Sequence, residues 1–178
     1  MISPTAAQPG FLSIDCGGLE EFVSLITNIT WVTDEEYVTT GQSATVKDSA
    51  DVSTTHQTVR YFPEKIPKNC YELSPAQEGQ AYIVRASFHY GDFDNKDRMP
   101  QFSLIVDATV MVSLVSDDDT YEMYVAAKSD TISVCLARDV SSSLTGDPFI
   151  SALELRPLPL GTTYETVALS QGFGLFLV

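Results

Sequence analysis

The chain has 178 residues, of which 44% are hydrophobic, and its 24 acidic and 10 basic side chains give a net charge of −14. A chain of this length buries roughly 70% of its unfolded surface, which is enough for one domain with a core. The acidic charge excludes nucleic acid and anionic membrane surfaces as partners, because both attract basic proteins. No stretch has the roughly 20 apolar residues of a membrane span, so we expect no direct membrane insertion by this chain.

The first third of the chain has weak periodicity. Residues 19–26 (LEEFVSLI) are the one stretch with a helical pattern. Residues 39–58 are polar and rich in Ser and Thr, and they are predicted to form a long loop with short strands.

From residue 82 onwards, apolar side chains alternate with polar ones, which is typical of β-strands with one buried face. The residues predicted to share a core-facing side, strand by strand, are Tyr82, Val84, Ala86, Phe88 and Tyr90; Phe102, Leu104 and Val106; Val110, Val112 and Leu114; Tyr121, Met123 and Val125; and Ile132, Val134 and Leu136. Residues 149–155 form a further mixed run. Turn-forming residues separate these runs, so the sequence predicts an all-β fold, an antiparallel β-sandwich or jelly roll with short helical turns.

The sequence contains no motif for catalysis or for a bound metal. The two histidines, His56 and His89, are not part of a GxSxG, HExxH or P-loop pattern. Residues 92–97 (DFDNKD) fail as a calcium loop, because Lys96 stands at a ligand position and no glycine follows it. We therefore predict no enzyme activity, no cofactor and no metal site.

Three cysteines, Cys16, Cys70 and Cys135, lack the CxxC spacing of a zinc site. The spacing leaves two alternatives open, one disulfide with one free thiol, or three buried thiols. The tripeptide Asn28-Ile29-Thr30 matches the acceptor pattern for N-glycosylation, so Asn28 is a candidate glycosylation site.

The stretch that runs from the strand at 82–88 into an acidic, aromatic turn is the best candidate for a ligand site. Aromatic rings beside carboxylates suit a saccharide, because a ring stacks on the sugar while carboxylates accept its hydroxyls. The same composition is also typical of an ordinary hairpin end. The candidate ligand-binding residues are Tyr61, Phe62, Tyr90, Asp92, Phe93 and Asp94.

Several stretches together resemble the malectin-like domains in the ectodomains of plant receptor-like kinases. They are GFLSIDCGG (10–18), ITWVTDEEYVTTG (29–41), VRYFPEKIPKNCYEL (59–73), AYIVRASFHYGDFD (81–94), ISVCLAR (132–138) and PFISALELRPLP (148–159). The resemblance implies a malectin-type β-sandwich over residues 10–159, the first malectin module of such an ectodomain. Residues 1–9 would be an N-terminal extension. Residues 160–178 would be a C-terminal tail, a truncated continuation of the ectodomain beyond the malectin-like domain.

What the resemblance implies about function is a non-catalytic, extracellular recognition module at the cell surface, although the chain shows no signal peptide or transmembrane segment. Its main expected ligand is cell-wall carbohydrate, with Tyr90 and Phe93 stacking on a pyranose ring and Asp92 or Asp94 accepting its hydroxyls. The alternative is a protein-interaction module, whose acidic face binds secreted peptides or a co-receptor.

Overall fold

A computed structural model describes residues 10–63, 66–113, 115–138, 146–159 and 161. The predicted extension at 1–9, the predicted tail apart from Gly161, and Leu114 lie outside the described residues. The strands, numbered along the chain, are β1 (Leu12–Asp15), β2 (Phe22–Val23), β3 (Thr30–Thr33), β4 (Gln42–Thr45), β5 (Thr58–Tyr61), β6 (Lys68–Leu73), β7 (Ala81–Phe88), β8 (Phe102–Val106), β9 (Thr109–Val112), β10 (Asp119–Ala126), β11 (Ile132–Arg138), β12 (Phe149–Ile150) and β13 (Ala152–Pro157). One 3₁₀ turn covers Thr54–His56.

The strands form three sheets that enclose one core. A six-stranded sheet has the order β10-β7-β13-β1-β3-β2, a four-stranded sheet has the order β6-β11-β8-β9, and a three-stranded sheet has the order β12-β5-β4. Only the pair β1 and β3 is parallel among the described strand pairs. The all-β, antiparallel sandwich predicted from the sequence is confirmed.

Three phenylalanines mark the place where the sheets meet. Phe88 ends β7, Phe102 begins β8 and Phe149 begins β12, and all three are fully buried. Their ring centroids lie 5.9 Å (Phe88 to Phe102), 6.2 Å (Phe88 to Phe149) and 5.5 Å (Phe102 to Phe149) apart. One aromatic side chain from each sheet therefore closes the core at this end of the sandwich.

The alternation predicted the buried faces of the long strands correctly. The core-facing residues of β7, β8 and β11 named above are all buried. The prediction is wrong for Val110, which is 51% exposed on the edge strand β9. The run at 149–155 is two strands, because the fully buried Ser151 separates β12 in one sheet from β13 in another.

The helical pattern at 19–26 does not form a helix. The segment contains β2, whose Phe22 stacks on Trp31 of β3 with ring centroids 6.4 Å apart, while Leu25 and Ile26 are exposed. An isolated helix of eight residues is marginal in water, and here Phe22 instead packs in the hairpin with β3. Within the polar stretch 39–58, the predicted short strands are represented by β4 and the start of β5.

The first and last described strands are neighbours. Strands β1 and β13 run antiparallel, with Leu12 opposite Leu155 and Asp15 opposite Ala152. The chain therefore enters β1 and leaves β13 at the same end of the sandwich. Strand β7 begins at that end, since Leu158 N donates to Ala81 O (2.9 Å), and it ends at the opposite one.

Candidate functional site

The turn that follows β7 is tightly packed, and a glycine makes this possible. Gly91 has a φ of +45°, and an added Cβ would lie 2.5 Å from Val46 Cβ. This close approach lets Lys47 N donate a hydrogen bond of 2.8 Å to Gly91 O. Residues 90–94 therefore form a strand-end turn, as predicted, and the turn is fastened to the segment that follows β4.

Most of the candidate aromatic rings face the core. Tyr90 is 6% exposed and Phe93 is 9% exposed, and their centroids lie 5.8 Å and 5.3 Å from that of Phe149. Phe62 is fully buried. Tyr61 is half-buried and packs 5.2 Å from Phe93. Stacking on a sugar requires an open ring face, so burial argues against that role for Tyr90, Phe93 and Phe62. The stacking of these rings on a sugar stays a prediction.

The two candidate carboxylates already have partners in the protein. Asp92 pairs with Lys47 and accepts a hydrogen bond from Asp97 N (2.7 Å). Asp94 accepts hydrogen bonds from the Tyr90 hydroxyl and from Lys96 N (3.2 Å). The Lys47 ammonium lowers the pKa of Asp92, while burial and the nearby Asp94 raise the pKa of Tyr90. The turn thus holds the protonated Tyr90 hydroxyl beside the ionised carboxylate of Asp92.

His89, which the sequence did not single out, connects two acidic turns. Its Nδ1 lies 2.9 Å from Asp118 Oδ1, and its Nε2 lies 3.0 Å from both carboxylate oxygens of Asp48. Both ring nitrogens face acceptors, so both donate only when the imidazole is protonated. Burial lowers the pKa of His89, but the hydrogen bonds with Asp48 and Asp118 outweigh this effect and raise it overall. The His56 ring stacks on His89 at 5.7 Å, and burial together with that neighbour lowers the pKa of His56.

These contacts assemble one acidic surface from three separate turns. We call it the carboxylate rim and define it by its residues, which are Asp48, Asp51, Asp92, Asp94, Asp97, Asp117 and Asp118. Besides the His89 contacts, Tyr90 N donates to Asp117 Oδ1 (2.7 Å), which joins the turn before β10 to the turn after β7. The Asp118 side chain is 72% exposed and that of Asp48 is 45% exposed, so the rim presents carboxylates to solvent.

A second acidic group is buried and holds strands together. Asp34 is fully buried, and its Oδ2 accepts hydrogen bonds from Arg60 Nε (2.8 Å), Tyr71 OH (3.0 Å) and Gly17 N (3.0 Å). Burial and the Asp34 charge raise the pKa of Asp15 to about 7. The donors come from β5, from β6 and from the turn after β1. This network therefore joins parts of all three sheets.

The cysteines follow one of the two alternatives left open by the sequence. Cys70 and Cys135 lie directly opposite each other on β6 and β11 and form a disulfide. Cys16 is free and buried, and burial together with Asp34 raises the pKa of its thiol. None of the three therefore presents a thiolate to solvent.

Asn28 is exposed in the turn between β2 and β3, with a φ of +55° that asparagine tolerates well. This turn lies at the edge of the six-stranded sheet that is opposite β10. An oligosaccharide on Asn28 would therefore stand well away from the carboxylate rim. Its glycosylation stays a prediction.

The described residues contain neither a metal-binding cluster nor a membrane-spanning helix. Nowhere in the described ranges do three or more His, Cys, Asp or Glu side chains come together in a way that could hold a metal ion. The same part of the chain has no helix with the length and apolar character needed to cross a membrane.

Comparison with known proteins assigns the fold to a family. The sequence model of the malectin-like domain matches residues 14–177, so the chain belongs to the malectin-like domain family. The chain is similar to a probable LRR receptor-like serine/threonine-protein kinase of Arabidopsis thaliana, with 38% identity over 87% of this chain and 17% of the relative. It thus spans less than a fifth of the length of the curated relatives it matches.

Solved ectodomains share the fold. The ANX2 ectodomain from Arabidopsis thaliana superposes with a TM-score of 0.73 at 19% identity, covering 84% of this chain and 42% of that one. A crystal structure of the plant peptide RALF23 in complex with FER and LLG2 gives a TM-score of 0.66 at 16% identity, covering 89% and 41%. The malectin type of the sandwich, which the sequence resemblance implied, is confirmed.

Proposed function

We propose that this chain is a non-catalytic recognition module in the extracellular region of a receptor-like kinase, and that its carboxylate rim binds a basic secreted peptide or a co-receptor protein. The observation that carries the proposal is the rim itself, in which three turns distant in sequence converge and present exposed carboxylates. A basic partner would gain long-range attraction to this surface in addition to its direct contacts.

Three further observations support the proposal. The family's curated relatives are receptor-like kinases, and a protein of the same fold occurs in a complex with the peptide RALF23 and with LLG2. The disulfide between Cys70 and Cys135 is a feature of proteins in oxidising compartments such as the cell exterior. Binding of carbohydrate, the main expectation from the sequence, has less support, because the rings of Phe62, Tyr90 and Phe93 are buried.

The experiment is an array of secreted-peptide sequences graded in net charge, probed with this chain at low and at physiological salt. We expect binding to basic peptides that weakens with salt, because exposed charges are screened beyond about 10 Å at 0.1 M. Cell-wall oligosaccharides are printed on the same array. Binding that ignores peptide charge, or binding to oligosaccharides alone, would contradict the proposal.

A pair of matched variants locates the surface. Asp51→Asn with Asp97→Asn removes two exposed carboxylates from the rim, whereas Glu20→Gln with Glu21→Gln removes two exposed carboxylates near β2, at the far edge of the six-stranded sheet. The rim pair should weaken binding of basic peptides severalfold at low salt, and the control pair should leave it nearly unchanged. Equal effects of the two pairs would indicate that peptide binding depends on the net charge of the domain and not on the rim.

A further inference from the structure

Strand β10 is an edge strand with an unused side. It pairs with β7 without interruption, from Asp119 opposite Phe88 to Ala126 opposite Ala81. No described strand pairs with its other side. The other edge strands are shorter: β2 and β12 have two residues each, and β4 and β9 have four each. The outer edge of β6 already has a hydrogen-bond partner, because Glu72 N donates to Tyr37 O (2.9 Å).

Hydrogen bonds around β10 show which backbone groups point outward. Ala127 N donates to Gln80 O (2.9 Å), so odd-numbered residues here direct their N–H and C=O groups towards β7. Thr120 N, which points away, donates instead to its neighbour Asp119 Oδ1 (2.9 Å). The N–H and C=O groups of Glu122, Tyr124 and Ala126 therefore point outward, where an added strand could pair with them.

The solvent face of the sheet carries a row of alternating charges that ends at this edge. Arg85 Nε on β7 donates to Glu122 Oε1 on β10 (2.6 Å), and Arg85 Nη1 lies 3.3 Å from Glu154 Oε1 on β13. Arg156 then pairs with Glu154. The row ends on an acidic residue at β10, so a basic side chain on an added strand would continue it beyond Glu122.

The inner face of β10 also leaves apolar surface at the edge. Met123 is buried, but Tyr121 and Val125 on either side of it are only half-buried. A shallow concavity beside them is lined by Val106, Met123 and Val125, together with the polar residues Asp107, Thr109 and Lys128. Apolar side chains on the inner face of an added strand would cover this surface.

We propose that β10 accepts an extended basic peptide segment as an additional antiparallel strand, with basic residues beside Glu122 and apolar residues turned towards Tyr121 and Val125. This inference rests on the proposed function and adds to it the conformation and the alternating pattern of the partner. Main-chain hydrogen bonds to an exposed edge give affinity in such complexes, and alternate side chains give specificity.

The test uses the acetylated and amidated peptide Thr-Lys-Val-Lys-Val-Lys-Thr with the isotope-labelled chain. We expect amide protons of Glu122, Tyr124 and Ala126 to become protected from hydrogen exchange when the peptide binds, while those of Tyr121 and Met123 are already protected in the free protein. Binding without this alternating gain, or no binding of this peptide, overturns the inference.

Two matched peptides test the hydrogen bonds. In an antiparallel added strand, lysines that share the face of Glu122 direct their own N–H groups at β10, so N-methylation of the lysines should weaken binding more than about tenfold. N-methylation of the valines, whose N–H groups point away, should change it less than about threefold. Equal losses for the two peptides would contradict strand addition.

Two matched protein variants test the charge. Glu122→Gln should weaken binding about two- to fivefold at low salt, the range for an exposed ion pair. Glu72→Gln, on the edge strand of the other sheet, should have no effect. If the array finds basic peptides but the β10 amides do not respond, the inference fails and the proposed function stands. If the array finds none, the proposed function fails independently of this peptide.

Discussion

Removing the Cys70–Cys135 disulfide should destabilise the domain strongly. The bridge joins residues 65 positions apart. For a loop of that size, the chain-entropy relation predicts that the crosslink stabilises the folded state by about 4 kcal/mol. Globular domains have a free energy of unfolding of about 5–15 kcal/mol in total, so the loss is a large share of it. We therefore expect the Cys70→Ala, Cys135→Ala double variant to unfold at a urea concentration about 2 M lower, taking a denaturant slope of about 2 kcal/mol/M.

The assay is urea unfolding followed by tryptophan fluorescence, with and without a reductant. Reduced wild type should match the double variant, and the reductant should not change the variant. Peptide mapping should find Cys70 linked to Cys135 and should find Cys16 free. A loss of less than about 1 kcal/mol would refute the reasoning from loop closure, as would a variant that the reductant still destabilises.

Three further predictions concern the rim and the core behind it. The pKa of His89 is raised in the folded protein, so His89 stabilises the fold below its unfolded pKa of about 6.5 and loses this effect as the pH rises through the folded pKa. The difference in the free energy of unfolding between wild type and His89→Gln, measured with urea, should therefore shrink from pH 5 to pH 8. A constant difference would contradict this. Gly91→Ala should cost about 2 kcal/mol or more, because Gly91 has a positive φ and an added Cβ would meet Val46. Gly79→Ala should cost about 1 kcal/mol, because Gly79 also has a positive φ (+80°) but has nothing within 4 Å of an added Cβ. Equal melting temperatures for the two variants would count against the packing described for the turn. Phe149→Ala should cost about 3–5 kcal/mol in chemical unfolding, because it removes the ring at which three sheets meet, and a loss below about 1 kcal/mol would show that the site is not tightly packed.

The sequence predicted best where a strand has one buried face. The alternation over 82–88 identifies both the strand and its buried side, because a shift of one residue would expose Val84 and Phe88. The error at 19–26 comes from a short segment, in which apolar spacing alone does not separate a helix from a hairpin. The break at Ser151 could not be predicted either, since the residues on both sides of it are apolar and buried.

The rim could be predicted only in part. The sequence predicts an acidic, aromatic turn at residues 90–94, but the orientation of Tyr90 and Phe93 depends on Phe149, which is distant in sequence. The role of His89 depends on Asp48 and Asp118, which are 41 and 29 residues away along the chain. Contacts of this range follow from the arrangement of the sheets, and no local pattern in the sequence encodes them.

The antiparallel pairing of β1 with β13 has a mechanical consequence. A force that pulls Leu12 and Leu155 apart acts across the ladder, so it breaks the hydrogen bonds between β1 and β13 one after another and does not load them together. Rupture would begin at the end where the chain enters and leaves. The carboxylate rim lies at the other end of β7, which is about 25 Å long at the usual rise of a strand. The force would therefore reach the rim last.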